Sequence, residues 1–171
     1  MKPPMREAQT VKPANQRGAA RLAAVQALYQ MEISGQPLNE VVAEYEAFRL
    51  GRIVDEDEYL PADPAYFRKL VAGVLKEQRR LDQAIDRVLA KGWPLERLDA
   101  LLRALLRVGA YELYSEKHVP SAVVMNEFLD IAAAFYDAEE RRLVNGVLNT
   151  LGREFRADEA GPDTGTSSAE N

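Results

Sequence analysis

Hydrophobic positions recur along most of this chain at the three-and-four spacing of one helix face, and nowhere at the alternation of a half-buried strand, which predicts an all-α protein. From Gln16 to Ser34, Leu22, Val25, Tyr29 and Ile33 form one stripe, ended by Gly35 and Pro37. A second helix uses Val41, Val42, Tyr45 and Phe48, with Asn39 as its expected cap and Gly51 as its stop. Asp63-Pro64 is a cap followed by a proline suited to the first helical position, and it opens a third helix through Phe67, Leu70, Val71 and Val74. A fourth uses Leu81, Ile85, Val88 and Leu89 up to Gly92. Trp93-Pro94 is read as the turn into a fifth, where Leu98, Leu101, Leu102, Leu105, Leu106 and Val108 cover more than one face and predict a central helix.

After a break at 115–119, Val124, Phe128, Ile131 and Phe135 mark a sixth helix opened by Pro120. Asp137 and Glu140 have the form of a capping box before Leu143, Val144, Val147, Leu148 and Leu151, the seventh. Asn145-Gly146 lies inside that last stripe, although glycine costs a helix about 1 kcal/mol relative to alanine. Two readings account for it. Either Gly146 admits a neighbouring helix while Asn145 bonds nearby backbone, so that a larger side chain at 146 overpacks, or Asn145 lies at a ligand surface. The expected organisation is a tail over 1–15, a helical domain over 16–155 and a polar tail over 156–171, both tails disordered.

Composition narrows the function. There is no cysteine for disulfides or a thiolate site, no apolar run of membrane-spanning length and no apolar leader, so a cytoplasmic location is the default. His118, the one histidine, cannot anchor an ordinary zinc site without cysteine and reads as a loop imidazole. Asp55-Glu56-Asp57-Glu58 lacks the ligand spacing and turn glycine of an EF-hand and reads as part of a solvated acidic loop over 52–62. Phosphate-binding glycine loops and a nucleophile elbow are missing, while Tyr111-Glu112 and Asn126-Glu127 read as packing or partner contacts. No catalytic residue, metal or cofactor is expected.

The formal net charge of -5 hides an uneven distribution. Residues 1–30 hold Lys2, Arg6, Lys12, Arg17 and Arg21 against Glu7 alone, whereas 40–63 hold eight acids against Arg49 and Arg52. A basic end on an acidic body suits local binding of nucleic acid. On a helical wheel Arg17 and Arg21 lie about 40° apart, a basic edge at the rim of the buried stripe.

Four ordered blocks carry a resemblance. Val119-Pro120, Asn126-Glu127, Phe135 and Leu143-Val144-Asn145-Gly146-Val147-Leu148 follow the runs 24–29, 66–73 and 106–113. Together, over roughly 17–155, they resemble the NusB family of bacterial transcription antitermination factors. The resemblance implies two packed three-helix subdomains, about 16–80 and 81–155. It also implies pairing with NusE, a small-subunit ribosomal protein, and binding of single-stranded boxA RNA as part of an RNA polymerase antitermination complex. Arg17 and Arg21 match the first and last arginines of the family's RNA-binding segment, with Gly18, Ala19 and Ala20 between them. The start of the last helix adds Glu139, Arg142 and Leu143, the last standing where the family usually has an aromatic, and Arg141 and Arg142 are placed to meet phosphate. By position, Tyr29, Leu102 and Arg103 face the protein partner. The alternative is the NusB-like regulatory domain of a ribosomal RNA methyltransferase, which would continue into a second domain.

Overall fold

A computed structural model describes residues 16–48, 63–90 and 93–157. The expected tail 1–15, all of the expected tail 156–171 beyond residue 157, the acidic loop 52–62, and the stops at Gly51 and Gly92 lie outside the described residues. Six α-helices follow in order: α1 (Gln16–Ser34), α2 (Leu38–Phe48), α3 (Pro64–Val88), α4 (Ala100–Ser115), α5 (Ser121–Phe135) and α6 (Ala138–Phe155), with a 3-10 turn at Leu95–Arg97 before α4. No strand occurs among the described residues, as the periodicity predicts.

The bundle is built around α4, which packs against α1, α3, α5 and α6. Its sequence explains this. Leu102, Ala104, Leu105, Leu106, Val108, Ala110 and Leu113 are all buried, leaving no wide polar face. Asp99 caps it, one carboxylate oxygen accepting the Leu102 N–H at 3.0 Å, so the helix begins at Ala100, beyond the predicted Pro94 turn. The predicted third and fourth helices are one, because Lys76-Glu77-Gln78-Arg79-Arg80 contains only good helix formers and no breaker. That helix spans the expected boundary near 80 and opens as predicted, Asp63 accepting the Tyr66 N–H at 3.1 Å ahead of Pro64.

Other local expectations change. The Pro37 carbonyl accepts the first N–H groups of α2, which places Asn39 inside the helix rather than at its cap. Asp137 occupies the cap position of α6, but its side chain makes no capping bond. Gly146 is not a crossing point: a Cβ added there meets nothing within 4 Å. The close approaches fall at Gly73, where an added Cβ would sit 2.2 Å from the Tyr111 ring, and at Gly109, 2.9 Å from Leu148. Those glycines seat α3 on α4 and α4 on α6. Arg156, assigned by sequence to the tail, is buried in the body and donates to the carbonyls of Glu112, Leu113 and Glu116 at 2.9 to 3.0 Å. Its guanidinium thereby satisfies the C-terminal end of α4, where carbonyls lack helical partners.

Candidate nucleic-acid interface

The opening of α1 is tied to the opening of α3 by the Asp63 N–H, which donates to the Gln16 carbonyl at 3.1 Å and brings Arg17 beside Tyr66. The Arg17 guanidinium lies 4.4 Å from the centre of the Tyr66 ring and donates to His118 Nε2 at 3.0 Å, in an exposed position. One turn on, Arg21 departs from its predicted place at the rim: it is 2% exposed. Its Nε and Nη2 donate to the two Glu112 oxygens at 2.8 and 2.7 Å, and Nη1 stands 3.4 Å from Glu127. The Tyr66 hydroxyl donates to the same carboxylate at 2.6 Å. The two arginines do not share an open edge, because α3, α4 and α5 close over the second turn of α1 and, among the described residues, leave Arg17 in the first turn exposed.

This buried cluster is satisfied throughout, as are all buried side-chain polar atoms among the described residues. Burial works against the Arg21 charge, but hydrogen bonding to Glu112 and the charges of Glu112 and Glu127 outweigh it and raise its pKa. Burial first, then the bond to Glu112, pushes the Tyr66 phenol well above its ordinary range and keeps it a donor. Arg21 and Glu112 therefore hold α1 to α4 as a bidentate pair, and Arg21 is withdrawn from any electrostatic contact surface.

The second predicted region opens α6. Glu139 and Arg142 are exposed and Leu143 is half-buried. Arg141 instead turns back and donates to the Tyr136 carbonyl at 3.0 Å. The Tyr136 hydroxyl in turn donates to Asp99 at 2.8 Å, and burial followed by that bond raises its pKa, tying the α5–α6 corner to the start of α4. Between α6 and the segment before α4 lies an open cleft of about 630 Å³, lined among others by Trp93, Arg97, Arg142, Leu143 and Gly146. Gly146 thus keeps a cleft open rather than admitting a helix, and Asn145 beside it is exposed.

The third region is the outer face of α1 and α4. Tyr29 is 41% exposed, as its assigned role requires, but Ile33, which the stripe predicts to be buried, is 63% exposed. Leu102 is 3% exposed, so it is a core residue at the floor of the cleft rather than an outer contact. Arg103 is bound to the Glu32 carboxylate and to the Leu98 carbonyl. Arg107 pairs bidentately with Asp82 at 2.8 and 3.0 Å and approaches Glu32 at 3.6 Å. Tyr29 and Ile33, one turn apart, stand beside this fixed polar wall.

Sequence reasoning missed Ile33, Trp93 and the surroundings of Arg17. The first two carry a signal only once neighbours are known, since an apolar residue in a helical stripe or a turn is ordinarily buried. Among the described residues no group of three or more potential ligands is arranged to hold a metal ion, and no helix is long and apolar enough to cross a membrane.

An all-helical bundle with a basic opening turn, an apolar-basic cleft and an exposed Tyr–Ile face has the features of a binding protein. Residues 18–153 match the sequence profile of the NusB family, so the chain belongs to that family. It is 57% identical over 152 residues to the transcription antitermination protein NusB of Bradyrhizobium diazoefficiens, covering 89% of this chain and 92% of that one. It is also 57% identical over 148 residues to that of Nitrobacter hamburgensis, covering 86% and 92%. Among solved structures, NusB of T. maritima superimposes with a TM-score of 0.68 at 29% identity, over 84% of this chain and 94% of that one. A crystal structure of antitermination factors NusB and NusE in complex with dsRNA gives 0.67 at 26% identity, over 82% and 98%. Membership places the chain among transcription antitermination factors, which are regulatory and not enzymes.

Proposed function

We propose that this protein pairs with NusE, the small-subunit ribosomal protein, and that the pair binds the single-stranded boxA element of ribosomal RNA transcripts within the RNA polymerase antitermination complex. The observation that carries the reading is the pair of openings: Arg17, oriented at an uncovered helix start, and the cleft that presents Arg142 and Leu143 at another. Arg17 supplies charge and a planar donor for phosphate or an unpaired base. Arg142 adds a second charge, Leu143 offers apolar contact, and Glu139 sets the acidic lip of the cleft. The partner face consists of Tyr29 and Ile33 beside Arg103. The solved NusB and NusE complex on RNA supports both partners by family likeness.

A protein of net charge -5 is expected to bind RNA weakly alone, and joining it to a second RNA-binding surface raises affinity without new contacts. The test is titration of a boxA-like single-stranded oligonucleotide and its duplex with the protein, NusE and their mixture. One-to-one co-elution and tighter single-strand binding by the mixture are expected. No co-elution, or equal affinity of protein and mixture, contradicts the proposal.

A further inference from the structure

Around Arg17 the structure gathers side chains that the α1 segment and the α6 cleft leave unexplained. Arginine has only donors, so His118 Nε2 accepts from Arg17, and the ring proton then resides on Nδ1. That nitrogen lies 3.7 Å from a Glu116 carboxylate oxygen, and the same oxygen meets the Lys69 ammonium at 3.0 Å. Glu116 is buried after the last turn of α4, whereas the side chains of Lys69 and His118 are more than half exposed. One inward carboxylate thus anchors Lys69 and stands beside the His118 ring, which in turn holds Arg17 through Nε2. Three segments converge: the first turn of α1, the second turn of α3 and the α4–α5 loop.

We infer that Arg17, His118 and Lys69 form one phosphate-binding face for the RNA backbone, extending the interface from α1 across to α3. The inference rests on the RNA-binding reading above. The placement of charge supports it: Glu116 and Glu112 are buried and Glu127 is directed inward to Arg21, whereas Arg17 and Lys69 are exposed. The groups that reach solvent are the cations and the carboxylates lie behind them, so positive charge is what an approaching polyanion meets. Pre-fixing matters as well. Lysine and arginine lose much rotamer freedom on binding, and side chains already held by Glu116 and His118 lose less. Donors remain for the ligand, since the ammonium has three and the guanidinium five.

The test uses the protein in complex with NusE and a boxA-like single-stranded oligoribonucleotide, with affinity followed against salt. Lys69→Gln is expected to lower the slope of log K against log[salt] by about 0.7, and Arg17→Gln with Lys69→Gln by about 1.4, one phosphate contact each. His118→Ala, which removes one orienting neutral hydrogen bond, is expected to weaken binding about three- to tenfold with the slope unchanged. Arg79→Gln, almost three turns further along α3, makes the same charge change away from the face and is expected to leave the slope as in the parent. Circular dichroism confirms that each variant is folded. A parental slope in Lys69→Gln, or an equal loss in Arg79→Gln, overturns the face while leaving RNA binding standing. A parent complex that binds no RNA overturns the functional reading together with the face.

Discussion

Two polar clusters sit one turn of α1 apart, draw on the same elements, and differ in their access to water. In the inner one, Arg21, Glu112 and Tyr66 consume one another's hydrogen-bonding capacity out of solvent. In the outer one, Arg17, His118, Lys69 and Glu116 form a looser chain whose basic ends project into water. The same residue type therefore has opposite roles four positions apart. A buried guanidinium paired on both carboxylate oxygens is a tie between helices, whereas one over a tyrosine ring at an open helix start remains available to a ligand. The glycines divide likewise: Gly73 and Gly109 are required by packing, and Gly146 is open.

The contrast is broken most severely by Glu112→Ala, which removes the bidentate partner of buried Arg21, leaves it only the more distant Glu127, takes the acceptor from Tyr66, and is expected to cost about 3–5 kcal/mol in urea unfolding. A loss below about 1 kcal/mol would show that the cluster is hydrated. Next, Gly73→Ala drives a methyl into the Tyr111 ring and is expected to destabilise by about 1–3 kcal/mol. Gly146→Ala should do the opposite, raising stability by up to about 1 kcal/mol through helix propensity alone, since the added methyl meets nothing. A destabilised Gly146→Ala would return that position to the packing role which periodicity suggested. Smallest of all, Arg17→Ala should change unfolding stability by no more than about 0.5 kcal/mol, as expected at an exposed site.

Periodicity made the helical class, the central position of α4 and most of the core legible, because burial repeats along a helix and the period is local information. It could not separate Arg17 from Arg21. A 40° offset on one wheel says nothing about where neighbouring helices end, and that alone buries one and exposes the other. The same limit explains Ile33 and Leu102: the stripe of α1 outruns its partners, and the multi-faced α4 has almost no outer side. Arg156 was lost for a related reason, since its carbonyl partners belong to α4 and the following loop, some forty positions earlier. The joining of the third and fourth predicted helices was readable in principle, as nothing in 76–80 breaks a helix. The outer cluster had no local signal, because Arg17, Lys69 and His118 come together only through the fold.

The most direct test of the division between inner and outer arginines compares Arg17→Ala and Arg21→Ala side by side, by urea unfolding and by the salt dependence of RNA binding in the NusE complex. The account predicts that Arg21→Ala loses about 3–5 kcal/mol of stability. It predicts that Arg17→Ala keeps its stability and lowers the salt slope by about 0.7. An Arg21→Ala protein as stable as the parent, with the salt slope reduced in its place, would contradict it.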